Sequence, residues 1–152
     1  MQPLHLPIYH PKVSRKDGKS FIFDPLRRKN VALTPEEWVR QHFVNYLVTE
    51  KNYPEALLAN EVTIALEQLA RRCDTVVYNL YLEPLAIVEY KAPSVPVTQQ
   101  VFEQIARYNL SLRVKCLIVT NGLEHYCCRI DYEKRSYAYL KEIPAYDALG
   151  NL

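Results

Sequence analysis

A chain of 152 residues, 49% apolar and 24% charged, is long enough to bury one core and too short for two ordinary domains, which excludes a disordered or fibrous protein. The net charge of +2 conceals a basic first 35 residues at +5 and an acidic remainder at −3, a division suited to holding phosphates with one part and a metal with another, or simply a solvated basic N-terminal segment. No apolar run approaches the ~18 residues that span a bilayer, and MQPLHLPIYHPKVSRK lacks the apolar stretch of a signal peptide, so no membrane partner and a cytoplasmic location are expected.

Residues 1–30 hold four prolines and little periodicity, which predicts an extended basic arm with one short strand at Ser20 to Phe23. Thr34-Pro35-Glu36-Glu37 then starts a helix, with Thr34 as N-cap, Pro35 at the first helical position and Glu37 placed to close a capping box. The helix is predicted to run to about Lys51. At 100° per residue Val39, Phe43, Tyr46 and Leu47 form one apolar stripe, and Glu36 projects to that side while Glu37 points away. Glu61 to Leu66, Cys73 to Tyr78 and Pro84 to Lys91 read as strands, the last with the apolar run of a central strand. Thr98 caps a second helix carrying Val101, Ile105, Tyr108 and Leu112 at helical spacing. Lys115 to Thr120, ended by Asn121-Gly122, then Glu124 to Ile130 and Ser136 to Leu140, complete the pattern. The order α-βββ-α-βββ implies one α/β domain over residues 31–145, a mixed central sheet flanked by helices, with 146–152 as a tail.

Two negative readings narrow the chemistry. Gly18, Gly122 and Gly150 are the only glycines and cannot build a G-x-x-x-x-G-K-[ST] or G-x-G-x-x-G loop, so no ATP-driven motor is expected. Cys73, Cys116, Cys127 and Cys128 form no C-x-x-C pair and are read as reduced core residues, while His5, His10, His42 and His125 lack ligand spacing and are read as structural or surface groups.

The chemistry centres on Glu89-Tyr90-Lys91. Alternate residues of a strand share a face, so Glu89 and Lys91 point together. If residues 73–78 and 84–91 pair as a hairpin turning near Tyr81 and Leu82, Asp74 falls opposite Glu89, with Cβ atoms ~4.5–5.5 Å apart. Two carboxylates so close need a compensating charge. With Glu36 they sum to −3 against +1 from Lys91, and one Mg²⁺ or Mn²⁺ cancels the excess; oxygen-only ligands favour these ions. The bland alternative is a surface Glu–Lys pair beside a chance aspartate. Charges that end a near-continuous apolar strand are costly unless used, and three elements deliver acids here.

Asp74, fourteen residues, then Glu89-x-Lys91 resembles the PD-(D/E)xK nuclease superfamily, with Cys73 in place of the proline. FDPLRRKNVALTPEEWVRQHF, EYKAPSVPVTQQVFEQIARYN and CLIVTNGLEHYCC resemble the N-terminal nuclease domain of type I restriction enzyme R subunits, particularly short stand-alone relatives, over roughly residues 20 to 145. The resemblance implies a restriction-endonuclease-like core in which Asp74, Glu89 and Glu36 hold the metal and Lys91 orients or polarises the attacking water. Gln104 and Tyr108 resemble the Q-x-x-x-Y motif that supports the site or DNA in several such nucleases. Core packing of Tyr108 is the alternative. Arg27, Arg28 and Lys29 of the arm are expected on DNA phosphates.

The implied activity is Mg²⁺-dependent hydrolysis of DNA phosphodiesters by an endonuclease, dimeric if it cuts both strands or recruited into a larger restriction assembly. The alternative function is a catalytically weak nucleic-acid-binding module that keeps the nuclease fold. A different metal-dependent hydrolase is the third reading.

Overall fold

A computed structural model describes residues 1–66 and 68–152, without the side chains of Leu66, Leu69 and Ser111. The first unit is a three-stranded antiparallel sheet of β1 (Val13–Lys16), β2 (Lys19–Asp24) and β3 (Lys29–Ala32), in that order. Asp17 and Gly18, with φ of 52° and 76°, make the two-residue turn whose twist matches a hairpin. Residues 13–32 are therefore a folded meander where an extended arm with one strand was expected. β1 is exposed along its whole length and shows no apolar alternation, so periodicity missed it. Residues ahead of it are also fastened. Leu4 and Leu6 pack on the core, and the His5 N–H donates to the Gly122 carbonyl at 2.8 Å.

Helix α1 (Pro35–Glu50) starts as expected at Thr34, whose Oγ1 accepts from the Glu37 N–H at 3.0 Å. A six-stranded sheet follows in spatial order β4 (Leu58–Leu66), β5 (Leu69–Tyr78), β6 (Pro84–Tyr90), β7 (Cys116–Thr120), β8 (His125–Asp131) and β9 (Ser136–Tyr139). Every neighbouring pair is antiparallel except β6 and β7, which are parallel and joined by the crossover helix α2 (Gln99–Asn109), capped by Thr98.

The sheet separates two apolar layers. On one side α1 supplies Val39, Phe43 and Leu47 against Ala86, Val88 and Tyr90; on the other α2 supplies Phe102 and Ala106 against Ile87, Leu117 and Val119. Strands covered on both faces explain why β6 and β7 read as continuous apolar runs. Adjacent Cys127 and Cys128 enter opposite layers, and all four cysteines are buried thiols. The expected tail is docked instead. Helix α3 (Tyr146–Leu149) buries Leu149 completely, and the Tyr146 hydroxyl donates to the Tyr78 carbonyl at 2.8 Å. Among the described residues no helix is long and apolar enough to cross a membrane.

Candidate active site

β5 and β6 pair with Thr75 opposite Val88 and Val76 opposite Ile87, a register that sets Asp74 opposite Glu89 as expected. Asp74 is held by its neighbour strand: its Oδ2 accepts the Tyr90 backbone N–H at 3.0 Å. The two carboxyl groups lie close enough that one hydrogen-bonds the other when protonated. Burial and then the Asp74 charge push the Glu89 carboxyl up to about 9, while Lys91 pulls it back. Glu89 and Lys91 border a cavity of about 230 Å³ under α2, which Arg72, Gln104, Tyr108 and Asn109 also line. Asp74 borders a second cavity of about 240 Å³, beneath the first turn of α1. Larger clefts of about 520 and 600 Å³ lie elsewhere, and the acidic pair opens onto neither.

The helical-face argument chose the wrong glutamate to face inward. Glu36 is exposed and Glu37 is buried. The stripe was centred on the apolar residues alone, whereas the buried face of α1 also includes Arg40 and Gln41, one turn beyond Glu37. Glu37 accepts from Arg27 Nη2 at 2.6 Å, from Arg40 Nε at 2.9 Å and from Gln41 Nε2 at 3.0 Å. These bonds consume the carboxylate that a capping box would have used. Glu36 reaches only the rim of the Asp74 cavity.

Arg40 links this cluster to the site, donating through Nη1 to the Asp74 carbonyl at 2.8 Å and to Glu61 Oε1 at 2.8 Å. Glu61, in turn, accepts from Arg72 Nε at 2.7 Å. The pairs Asn60–Thr75 and Val62–Cys73 set Glu61 opposite Asp74, so Glu61, Asp74 and Glu89 form one row across three strands. Glu61 has φ of 58°, a left-handed conformation that costs a non-glycine residue roughly 1–2 kcal/mol and marks sites where geometry outranks comfort. Sequence reasoning missed Arg40, Glu61 and Arg72. Their only signal was charge within otherwise apolar segments.

A second chain of bonds supports the site from behind. Tyr90 Oη lies 2.9 Å from Thr75 Oγ1, which donates to Asn60 Oδ1 at 2.6 Å, and Asn60 Nδ2 donates to Asp24 Oδ2 at 2.9 Å. Asp24 pairs with Arg27. Arg27 is therefore an internal brace between the meander and α1, not a free cation for DNA. Arg28 and Lys29 are exposed, as a phosphate contact requires. Gln104 and Tyr108 face the Glu89–Lys91 cavity from α2; Tyr108 is 48% exposed, which excludes core packing, and Arg71 stacks 4.5 Å from its ring centre. No histidine lines either cavity.

Among the described residues no three His, Cys, Asp or Glu side chains gather tightly enough to hold an ion, so the expected triad with Glu36 is not assembled. The pair itself fits a hard divalent cation. Its donors are oxygens alone, and the proton that otherwise sits between them is what a bound cation would displace. Asn109, fully buried on the same cavity, also has an amide oxygen with no hydrogen-bond partner among the described residues.

A mixed sheet between helices, with two opposed acids on the hairpin before the parallel crossover and a lysine just past its second strand, defines a mixed α/β domain. The chain belongs to the family described as type I restriction enzyme R protein N terminus, whose model matches residues 35–144. It is similar in fold to a fragment described as an HsdR subunit of a type I restriction enzyme from Vibrio vulnificus YJ016. The TM-score is 0.53 at 20% identity, over 78% of this chain and 25% of that one. The match thus spans about a quarter of the length of that solved fragment. No curated protein matches the sequence.

Proposed function

We propose that this chain is a Mg²⁺- or Mn²⁺-dependent endonuclease domain of the PD-(D/E)xK type, acting on DNA in the cytoplasm within a restriction-type assembly. The observation that carries this reading is the pairing of Asp74 opposite Glu89, with Lys91 two residues on, just past the end of β6. Asp74 and Glu89 would hold the cation. Such an ion, when bound, lowers the pKa of its water toward ~7 and neutralises charge on phosphoryl oxygens.

The chain's own groups do the rest. The Tyr90 amide fixes one Asp74 oxygen, leaving the other free to turn toward the cavity. Lys91 brings an ammonium to the wall shared with Glu89, where it orients the attacking water or stabilises the phosphoryl charge. Gln104, Tyr108 and Arg72 line the route by which a strand would enter, and Arg28 and Lys29 offer phosphate contacts outside it. Cutting both strands requires two such sites, hence a homodimer or a larger complex.

Supercoiled plasmid and calorimetry with Mg²⁺ or Mn²⁺ test the reading. The wild-type chain should nick or linearise plasmid, and Lys91→Ala should lower the rate about 10²-fold or more while cation binding persists, because both carboxylates remain. Absence of cation binding to the wild type would sink the proposal. A second reading, binding of nucleic acid without cleavage, is favoured because Glu36 is exposed and, among the described residues, no third acid gathers with the pair to hold an ion. It predicts DNA binding by the wild type with no cation-dependent cleavage.

A further inference from the structure

The turn half of the β1–β2 hairpin is a well-formed ribbon that lies outside the core, whereas Ile22 and Asp24 at the far end of β2 are buried. Residues 12–19 are all exposed, and they include Lys12, Arg15, Lys16 and Lys19 against the single acid Asp17. The last pair before the turn sets Lys16 directly opposite Lys19. Like charges facing across strands oppose the pairing that holds them. Lys12 lies over the Phe23 ring and Arg15 donates to the Gly18 carbonyl, but neither contact neutralises charge: among the described residues the salt bridges use Arg27, Arg40 and Arg72, and none of the four ribbon cations joins one. The ribbon also precedes the family-matched segment at 35–144.

Its base is nonetheless rigidly aimed. β2 ends at buried Asp24, which is bonded to Arg27 and Asn60, and through Arg27 to Glu37 and Arg40, which holds the Asp74 backbone. A cationic ribbon with a fixed direction relative to the acidic pair, carrying four cations against one acid and no salt bridge among the described residues, suits an external polyanion. Two antiparallel strands ~4.8 Å apart fit the ~12 Å major groove of B-form DNA, whereas the deep, narrow major groove of A-form RNA does not admit them.

We propose that the β1–β2 ribbon is a separate duplex-DNA grip, with Lys12, Arg15, Lys16 and Lys19 on backbone phosphates along the major groove. The inference rests on DNA being the substrate of the Asp74–Glu89 site, but it is read through binding rather than cleavage. The full chain is titrated into fluorescent 30-bp DNA and into duplex RNA of the same sequence, by anisotropy at several salt concentrations without divalent ions. The wild type and a fourfold Lys12→Ala, Arg15→Ala, Lys16→Ala, Lys19→Ala variant are compared, with melting curves as the folding control.

The fourfold variant should melt as the wild type does, bind duplex DNA at least about tenfold more weakly near 0.1 M salt, and lose about 3 to 4 from the log–log salt slope. The wild type should prefer DNA to RNA. Unchanged affinity and slope in the fourfold variant, or equal affinity for duplex RNA, would overturn the ribbon proposal and leave the cleavage site standing. Loss of cleavage in the fourfold variant with undiminished DNA binding would overturn it as well. Cleavage-deficient wild type that still loses binding on ribbon neutralisation would support the ribbon and defeat the hydrolytic reading.

Discussion

Neighbouring glutamates on α1 have opposite duties. Glu37 is a buried counter-ion for two arginines, and removing its charge leaves Arg27 and Arg40 facing one another in a desolvated site. Breaking a buried pair from one side costs about 3–5 kcal/mol. Glu37→Gln is therefore expected to lower unfolding free energy by about 3 kcal/mol in urea titrations. Glu36→Gln, on the exposed rim, should stay within about 0.5 kcal/mol. Equal stability of the two variants would contradict this assignment. Asp74, Glu89 and Lys91 were legible from the sequence because strand periodicity and a hairpin register are local rules, satisfied within 18 residues. Glu36 against Glu37 was not, because the choice depends on Arg27 and Arg40 arriving from two elements to make a charged position the buried one.

At the scale of elements, the helices and central strands follow their sequence signals closely. Thr34 and Thr98 both cap through Oγ1 to the third residue of the helix they begin. Replacing Thr34 by Ala should cost about 1 kcal/mol, read as a shift in urea midpoint with unchanged slope. A smaller loss than in Thr98→Ala would mean that the Glu37 cluster, rather than the cap, fixes the start of α1. The meander escaped the sequence reading for a physical reason. Its strands are four to six residues long and mostly solvated, and its pairing depends on Ile22 and Asp24 meeting α1 and Asn60 from outside the segment. Arg27 was misread for the same reason, since a basic run looks alike whether its members face phosphates or carboxylates.

Across the whole molecule, one buried polar circuit joins the meander, α1 and the sheet, and it should set the acid stability. Burial raises the carboxyl groups of Asp24, Glu37 and Glu61, yet their bonds to Asn60 and Arg27, to Arg40 and Arg27, and to Arg40 and Arg72 outweigh it and hold all three below their ordinary range. Depressed carboxyl groups contribute stability that is fully present above their unfolded pKa near 4 and is lost as pH falls through their folded values. Unfolding free energy should therefore drop below about pH 4, and the drop should shrink in Glu37→Gln. His42 and His125, lowered chiefly by burial, add a milder loss as pH falls below about 6.5, because the unfolded chain binds those protons more readily. Chemical denaturation at intervals from pH 3 to 8 measures both. An acid drop unchanged in Glu37→Gln would place its origin elsewhere.

Alternation, helical spacing and caps were enough to specify an α/β domain with an acidic pair and a lysine on its central hairpin, since each rests on residues close in the chain. Tertiary structure decided which charges are used up internally and which remain outward. Arg27, Arg40, Glu37 and Glu61 neutralise one another inside, while the cations of the first hairpin stay solvated. That division depends on burial and on partners tens of residues away, and a charged side chain carries the same letter in either state.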